Sequence, residues 1–257
     1  MRIAVVGANG RMGRAVVRLA VTGGVEVTCA IGAGDVGRDA GELAGVSSIG
    51  TSIVDGLAAL EHAKVDLLID FSAPAVTTAL APIAANAGIA IVSGTTGLTD
   101  AGRLALDQAA TRVPVLWEPN MSVGIFVLSK LVSQAVAAMS DWDLEIVEAH
   151  HRAKIDAPSG TALRLAEVAQ RARAGARLVH GRQGTPGARR NEEIGMHALR
   201  GGDVLGDHTV HLLGGGERLE LTHRATSRDV FAHGALRAAR WLQGRAAGRY
   251  GLSDVLA

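Results

Sequence analysis

A strand, a glycine-rich turn and a helix open the chain, and this order constrains the fold more than any other feature. Residues 1–6 are an apolar run rich in β-branched side chains, which predicts a buried parallel strand. The turn that follows carries Gly7, Gly10 and Gly13, and residues 14–21 then have a helical pattern. Strand, glycine turn and helix in this order are the context that a dinucleotide-binding fingerprint requires.

Each glycine of this turn has a separate role in such a fingerprint. Gly7 permits the tight turn, Gly10 lets the backbone approach a pyrophosphate, and Gly13 lets the helix pack on the strand. Arg11 lies within the turn and can reach a phosphate. Because the turn directly follows a clean strand, we expect it to bind a dinucleotide rather than to serve as an ordinary connection.

The sequence leaves open whether the cofactor is NADH or NADPH. A carboxylate about 20 residues beyond the turn takes the ribose hydroxyl of NAD, whereas an arginine accommodates the 2′-phosphate of NADP. The second predicted strand, residues 25–31, ends in Gly32 and Ala33, which offer neither group. Asp35 or Arg38 can substitute from the loop that follows, and nothing in the sequence decides between them.

Alternating strands and helices continue through the first half of the chain. Three further apolar runs, residues 65–70, 89–93 and 113–117, predict strands with helices between them. Such alternation implies a parallel sheet, and ligands of parallel sheets bind at the carboxyl ends of the strands. Polar turns follow the last two of these strands at Gly94 and Glu118. Their residue types are ordinary in turns, but their common edge favours a role in cofactor binding.

The order of the predicted elements changes in the second half of the chain. A long amphipathic helix is followed by strands that succeed one another with few helices between them, which is typical of an α+β domain with a mixed or antiparallel sheet. The predicted elements are the helix 123–139, the strand 143–149, a helix from Ser159, the strands 193–199, 208–213 and 218–223, and a last helix 229–243. We therefore expect an α/β fold: a Rossmann-like parallel sheet in residues 1–121, completed by 229–257, and a second domain in residues 122–228.

A basic segment, residues 181–190, connects two strands of the predicted second domain. Its glycines and its proline are typical of a mobile loop. Most loops of this kind are only connections. Next to an anion site, such a loop can also act as a lid, and the sequence leaves both readings open.

The run Glu-Ala-His-His-Arg-Ala-Lys-Ile-Asp-Ala-Pro-Ser-Gly-Thr-Ala, residues 148–162, is the strongest functional signal. Ser159 is a favoured N-cap, and the start of a helix attracts anions because its N–H groups are unpaired. Lys154, and His151 when protonated, add positive charge nearby. Each residue alone is more often structural. Their combination at one helix start predicts a pocket for a small carboxylate with a proton donor built in.

Composition excludes several classes of function. Lysine and arginine number 26 against 25 acidic residues, which argues against a nucleic-acid-binding surface. The single cysteine, Cys29, rules out a disulfide framework and fits a reducing compartment. The first strand begins at residue 1, and no apolar run approaches the roughly 20 residues that span a membrane. We expect a cytoplasmic protein without a signal peptide or a membrane partner.

These motifs resemble the 4-hydroxy-tetrahydrodipicolinate reductase family, also called dihydrodipicolinate reductase, of diaminopimelate and lysine biosynthesis. The resemblance runs nearly end to end, and the run 148–162 is its most specific part. The other matching segments are residues 7–13, 70–74, 94–97, 119–124, 200–203, 206–209 and 227–232. Two features depart from the family pattern. Gly32 and Ala33 stand where relatives often have an acidic residue and an arginine, and the basic loop near residue 185 is long.

The resemblance implies an NADH- or NADPH-dependent oxidoreductase that reduces a cyclic dicarboxylate carrying an imine, without a metal. It implies that His150 is the general acid, that Lys154 is a second candidate donor and carboxylate ligand, and that His151, Gly160, Thr161 and Arg228 bind substrate carboxylates. The cofactor-binding residues that it implies are Gly7, Ala8, Asn9, Gly10, Arg11, Met12, Gly94, Thr95, Thr96, Glu118, Pro119, Asn120 and Met121. A histidine suits the acid role because its charge can change near neutral pH. The family also implies a homotetramer joined through the sheet of the second domain.

Two other classes of function stay open. A Rossmann-type amino-acid dehydrogenase needs no His-His-x-x-Lys run beside a Ser-Gly-Thr helix start, and this run favours the reductase. A non-catalytic dinucleotide sensor would bind cofactor even after the loss of His150 and Lys154, and it would have no turnover to lose.

Overall fold

The computed structural model describes residues 1–257, which divide into two compact units. Unit 1 consists of Met1–Ser122 and Asp229–Ala257, and unit 2 consists of Val123–Arg228. The strands are β1 (Arg2–Val6), β2 (Glu26–Ile31), β3 (Ile53–Val54), β4 (Leu67–Asp70), β5 (Ala90–Ser93), β6 (Pro114–Trp117), β7 (Asp143–His150), β8 (Arg177–His180), β9 (Glu193–Arg200), β10 (Asp207–Leu213), β11 (Arg218–Arg224) and β12 (Gly248–Tyr250). The helices are α1 (Arg11–Thr22), α2 (Ala40–Leu43), α3 (Ala59–His62), α4 (Pro74–Asn86), α5 (Asp100–Ala110), α6 (Val123–Ala138), α7 (Gly160–Ala172), α8 (Asp229–Leu242) and α9 (Leu252–Val255).

Unit 1 is built on a parallel sheet with the strand order β12-β6-β5-β4-β1-β2-β3. All residues of β4 and β5 are buried, because helices cover both faces of such a sheet, and this explains their continuous apolar sequence. The strand order reverses between β1 and β4, where the loops after the two strands separate. This reversal is the usual place for a ligand in an open parallel sheet. The predicted Rossmann-like architecture is therefore confirmed.

Unit 2 contains a mixed sheet with the order β11-β10-β7-β9-β8. Strand β10 is antiparallel to both β7 and β11, whereas β9 is parallel to β7 and β8. Every second residue of β7 is buried, which matches a sheet covered on one face only. Helices α6 and α7 pack on that face around a core that includes Ile125, Val132, Leu144, Ile146, Leu165 and Ile194. The predicted second α+β sheet is confirmed.

The structure contains short elements that the sequence did not predict. Strand β8 is partly exposed, with an arginine as its first residue and a histidine as its last, and β12 is only three residues long, so neither shows a hydrophobic period. Helices α2, α3 and α9 have four residues each. Such elements form because neighbouring elements hold them, and a local pattern cannot reveal them. None of the nine helices is long and apolar enough to cross a membrane.

The basic segment 181–190 is anchored to the sheet of unit 2. Arg182 donates two hydrogen bonds of 2.8 Å to the Glu145 carboxylate, and Arg189 donates one of 3.1 Å. Burial alone would raise the pKa of Glu145, but hydrogen bonds from Arg182, His197 and Arg189 lower it to about 2. Glu145 and His150 are five residues apart on β7, so their side chains lie on opposite faces of the sheet. These contacts favour the interpretation of the segment as a connection rather than as a lid over His150.

Candidate functional site

The glycine turn of unit 1 has the tight geometry that its sequence predicts. Gly7 has a φ of +81°, which a residue with a side chain rarely adopts, and a Cβ there would lie 2.6 Å from the carbonyl oxygen of Phe71. The N–H groups of Gly7 and Ala8 both donate to the carbonyl of Ile31 at 2.9 Å. A Cβ at Gly13 would overlap the carbonyl oxygen of Gly7. Helix α1 can therefore begin directly against the turn, with Gly10 as its N-cap.

A cavity of about 360 Å³ opens beside this turn at the carboxyl edge of the sheet. The loops after β1, β2, β3 and β4 line it, with Asn9, Gly10, Gly32, Asp55 and Phe71 among the lining residues. A glycine cradle, a helix start and a cavity at the point where the strand order reverses together fit a dinucleotide. Phe71 and Asp55 are not among the site residues predicted from the sequence. Phe71 follows an apolar strand directly, whereas Asp55 follows a strand of only two residues, which leaves little signal in the sequence.

The loops after β5 and β6, which carry the other predicted cofactor residues, begin at the same edge of the sheet. A Cβ at Gly94 would overlap the ring of Phe71. Thr95 is buried, and Glu118 accepts a hydrogen bond of 3.3 Å from the N–H of Leu252 at the start of α9. Met121 is buried as well. These side chains contact the protein interior, whereas Thr96, Pro119 and Asn120 are exposed or half-buried. The cofactor role of both loops stays a prediction.

Asp70, which has no role predicted from the sequence, connects the segments at this edge of unit 1. Its fully buried carboxylate accepts hydrogen bonds from the hydroxyl groups of four residues, at 2.5 to 3.1 Å, and from one backbone N–H. The hydroxyl donors are Ser72, Thr77, Ser93 and Thr95. They lie in α4, in β5 and in the loops after β4 and β5, so one carboxylate ties these segments together. An acidic residue that closes an apolar strand was the available signal.

The loop after β2 carries a cluster of charges that bears on the choice of cofactor. Asp35 lies 3.3 Å from a guanidinium nitrogen of Arg14 and 2.9 Å from one of Arg38. Arg14 also donates to the carbonyl of Asn9, which lines the cavity, at 2.8 Å. A Cβ at Gly32 would overlap the side-chain oxygen of Asn9. Gly32 thus leaves space for the side chain of Asn9, and the carboxylate of Asp35 pairs with both Arg14 and Arg38.

We expect Asp35→Asn to shift preference towards NADPH, because it frees Arg14 and Arg38 to attract a 2′-phosphate. Asparagine tolerates the φ of +57° at this position. The ratio of NADH to NADPH dissociation constants should rise about two- to fivefold, the range that an exposed ion pair supports. Fluorescence titration with each cofactor measures this ratio. Asp66→Asn removes a carboxylate that pairs with Arg2, at the amino ends of β4 and β1, and is the matched control. An unchanged ratio in Asp35→Asn would remove this loop from cofactor selection.

His150 is the last residue of β7 and lies at the centre of the polar cluster of unit 2. Its side chain is only 10% exposed, and its Nδ1 lies 2.6 Å from Oε2 of Glu148. The strand ends here, so His151 is not forced onto the opposite face of the sheet. A Cβ at Gly206 would lie 3.1 Å from Nε2 of His150, so glycine at that position leaves space beside this nitrogen.

The side chain of Glu148 is fully buried and contacts three neighbouring residues through hydrogen bonds. Besides His150, it accepts two hydrogen bonds of 2.8 Å from Arg200 and one of 3.0 Å from the N–H of Ser159. Burial alone would raise the pKa of this carboxyl, but the hydrogen bonds from Arg200, His150 and Ser159 together lower it. The carboxylate therefore stays ionised in the protein interior, where a buried charge is stable only when it is paired in this way.

Helix α7 begins as the sequence predicts. Ser159 is its N-cap and accepts a hydrogen bond of 3.2 Å from the N–H of Ala162. The same hydroxyl lies 3.0 Å from Nε2 of His208, a buried histidine of β10. Burial and the neighbouring His150 lower the pKa of His208 to about 4, so this ring is neutral at neutral pH. The His208 ring meets that of His150 edge-on at 5.2 Å.

The remaining predicted substrate residues lie in the loop before α7, in its first turn and beyond β11. Lys154 holds the carboxylate of Asp156 at 2.7 and 2.9 Å and thereby lowers the pKa of the Asp156 carboxyl. Gly160, which is exposed, and Thr161 are the first two residues of α7. Arg228 ends unit 2. His151, Lys154 and the start of α7 belong to one short segment next to His150, whereas a role for Arg228 stays a prediction.

Three residues of this cluster, Glu148, Arg200 and His208, have no role predicted from the sequence. Glu148 could have been found, because residues i and i+2 of a strand share one face, so a glutamate two positions before His150 can reach it. Arg200 and His208 come from strands more than 45 residues further along the chain, and only the sheet register brings them beside β7. No spacing in the sequence reveals that register.

Known proteins resemble this chain over its whole length. The family profile described as "Dihydrodipicolinate reductase, N-terminus" matches residues 1–121, and "Dihydrodipicolinate reductase, C-terminus" matches residues 124–256. A 4-hydroxy-tetrahydrodipicolinate reductase of Myxococcus xanthus is 46% identical, with 100% of this chain and 97% of the relative covered. Another, of Archaeoglobus fulgidus, is 48% identical, with 94% of each chain covered.

A solved structure has the same fold. Dihydrodipicolinate reductase of Paenisporosarcina sp. TG-14, bound to dipicolinate, superposes with a TM-score of 0.79 at 24% identity, and 98% of this chain and 97% of that chain are covered. At that identity the likeness supports the fold alone. Both halves of this chain match the two family profiles, and full-length relatives exceed 45% identity. The chain therefore belongs to the dihydrodipicolinate reductase family.

Proposed function

We propose that the chain catalyses the NAD(P)H-dependent reduction of 4-hydroxy-tetrahydrodipicolinate, by way of dihydrodipicolinate, to tetrahydrodipicolinate in the diaminopimelate route to lysine. The observation that carries the proposal is the segment 148–162. There a buried histidine held by a carboxylate lies next to a lysine and to the capped start of a helix. This arrangement suits an anionic substrate that needs one proton, and the relatives of this chain carry the name of that reductase.

Unit 1 would hold the cofactor. The turn from Gly7 to Met12 and the start of α1 would bind its pyrophosphate, and the cavity lined by Phe71 and Asp55 would take the adenosine end. When bound, the nicotinamide supplies a hydride to the substrate ring. Whether Arg14 and Arg38 stay paired with Asp35 or turn to a 2′-phosphate would set the preference of this chain between NADH and NADPH.

Unit 2 would bind and protonate the substrate. The N–H groups of Gly160 and Thr161 at the start of α7 suit one carboxylate, and Lys154 would exchange Asp156 for a substrate carboxylate. His151 and Arg228 would add positive charge. Reduction of the conjugated double bond requires one hydride and one proton. We assign the proton to Nε2 of His150, beside which Gly206 leaves room.

We expect Lys154→Ala to raise KM and to lower kcat, because a substrate carboxylate loses its ammonium partner and its orientation. The efficiency kcat/KM should fall about 10- to 100-fold, since a hydrogen bond between charged groups contributes about 1.5–3 kcal/mol. Steady-state kinetics with varied substrate measure both constants. Lys130→Ala, which removes an exposed lysine stacked on Phe126 in α6, is the control. Unchanged constants in Lys154→Ala would exclude this lysine from the site.

We also propose that the protein assembles as a homotetramer through the sheet of unit 2. The face of this sheet opposite α6 and α7 has no helix over it within the unit and carries an exposed leucine, Leu199, which is 58% accessible. Light scattering on the purified protein measures its mass and tests this assembly.

The decisive experiment follows oxidation of NADH and of NADPH while the preceding synthase generates the substrate from pyruvate and aspartate semialdehyde. Turnover with either cofactor would support the reductase, and the ratio of the two efficiencies would give the cofactor preference. Folded protein that binds cofactor without turnover would favour another dehydrogenase or a sensor.

A further inference from the structure

We propose that Glu148 is the positioning residue for the proton donor. In this view its buried carboxylate holds the N–H at Nδ1 of His150 and leaves Nε2 as the nitrogen that gives up its proton. The proposal rests on the proposed function, in which His150 supplies that proton. In the step, the N–H bond at Nε2 breaks, a bond to hydrogen forms on the substrate, and the imidazolium becomes a neutral ring that keeps its proton at Nδ1.

The contacts of Glu148 determine that Nδ1 of His150 carries a hydrogen. Oε2 lies 2.6 Å from Nδ1, and both carboxylate oxygens also accept from Arg200. An ionised carboxylate only accepts hydrogen bonds, so Nδ1 must be the donor in this pair. The double contact with Arg200 balances the charge of Glu148. It therefore keeps the carboxylate ionised when His150 becomes neutral.

The surroundings of the ring assign the opposite nitrogen to the reaction. Gly206 lacks a side chain at the point where a Cβ would lie 3.1 Å from Nε2. His208 meets the ring edge-on and bonds to Ser159 instead, so it does not compete for this nitrogen. The side-chain hydrogen bond between His150 and Glu148 is made at Nδ1.

The same carboxylate also holds the start of α7. Oε1 of Glu148 accepts from the N–H of Ser159, which is the N-cap of the helix that would bind a substrate carboxylate. One buried group thus joins the proton donor to the anion subsite. A small displacement of Glu148 would move both, which explains why a charge is kept in the interior at this point.

The first test is Glu148→Gln. Glutamine has one oxygen in place of two, so it cannot accept from His150, Arg200 and Ser159 together, and its NH₂ group would oppose one of these donors. We expect kcat to fall by about 100-fold, the range of general acid catalysis, while the dissociation constant for the dinucleotide stays unchanged. The full-length protein is used for both measurements, and the binding titration starts from protein without cofactor.

The pH dependence separates positioning from a merely structural role. The groups around His150 are Glu148 on its own strand, Arg200 on β9, His208 on β10 with His223 opposite it on β11, and Lys154 in the following loop. Glu148 is the carboxylate in contact with the His150 ring, and an opposite charge at this distance favours the cationic form of a side chain. In Glu148→Gln the alkaline limb of the rate profile should therefore move to lower pH.

Glu145→Gln is the matched control. Glu145 lies on the same strand, is paired with two arginines and a histidine, and faces the other side of the sheet. The Glu145→Gln variant should have a lower free energy of unfolding than wild type, with unchanged kcat and pH profile. Both are measured at protein concentrations at which the variant has the same oligomeric mass as wild type. Equal losses of kcat in both variants would overturn the proposal, as would wild-type kcat in Glu148→Gln.

A measurement on the wild-type protein covers the case in which Glu148→Gln does not fold. The ring ¹⁵N signals of His150, assigned by their loss in His150→Gln, report which nitrogen carries the proton in the neutral ring. We expect Nδ1–H, and an Nε2–H tautomer would overturn the proposal. The tautomer is independent of the substrate. Wild-type protein with Nδ1–H but no reductase turnover would therefore contradict the proposed function, but not the orientation of the His150 ring by Glu148.

Discussion

Replacing His150 with glutamine should reduce kcat by about 100- to 1,000-fold, within the range that a general acid contributes. Glutamine occupies a similar volume and can still donate to Glu148, but it cannot give up a proton near neutral pH. The dissociation constants for NADH and NADPH should stay within about twofold of wild type, since the glycine turn and cavity belong to unit 1. Steady-state rates and fluorescence titration measure the two quantities separately.

The matched control for this variant is His180→Gln, which changes an exposed histidine at the end of β8 in the same unit. It should leave kcat unchanged. Wild-type turnover in His150→Gln would rule out the acid role and transfer it to Lys154. Loss of cofactor binding in His150→Gln would instead show that the substitution disturbs more than the proton donor.

The second large effect is expected on stability, from Gly234→Ala. Gly234 is buried in α8, and a Cβ there would overlap the carbonyl oxygen of Met121. Alanine favours a helix by about 1 kcal/mol over glycine, but crowding a close-packed contact costs about 1–3 kcal/mol or more, and backbone yields less easily than a side chain. We expect crowding to prevail and Tm to fall by roughly 3–8 °C.

Thermal unfolding followed by circular dichroism measures this change. Gly215→Ala in the turn between β10 and β11 is the control, because a Cβ there meets nothing within 4 Å and Tm should not move. Met121 ends the predicted cofactor segment that begins at Glu118, so weaker NADH binding in Gly234→Ala would support the role of that segment. An unchanged Tm would mean that the loop yields to α8 without cost.

The sequence predicted correctly those elements that depend on residues close together in the chain. The apolar run before Gly7 could only be a buried strand, and the glycine spacing requires the turn that the structure shows. Ser159 caps α7 as expected, because capping depends on a residue and its next three neighbours. The boundaries of the long strands and helices lie within a few residues of those expected.

What the sequence could not predict depends on contacts between distant segments. Asp70 accepts hydrogen bonds from hydroxyl groups of residues up to 25 positions away in the sequence, and Glu148 pairs with Arg200, which is 52 positions away. Their partners are decided by strand order and register, which hydrophobic periodicity does not encode. The hydrogen bonds from Arg182 and Arg189 to Glu145 also join distant segments. They tether to the sheet a loop that the sequence predicted to be mobile.

The position of β12 has a consequence for the order in which the chain can fold during synthesis. β12 pairs with β6 through Gly248–Tyr250 and Pro114–Leu116, and all of unit 2 is translated between them. Unit 2 is therefore continuous and can fold as soon as it leaves the ribosome. The nascent sheet of unit 1 must wait, with the edge of β6 unpaired, until β12 has been translated. An exposed strand edge is prone to wrong pairing, so the newly made protein is at risk of aggregation during this interval.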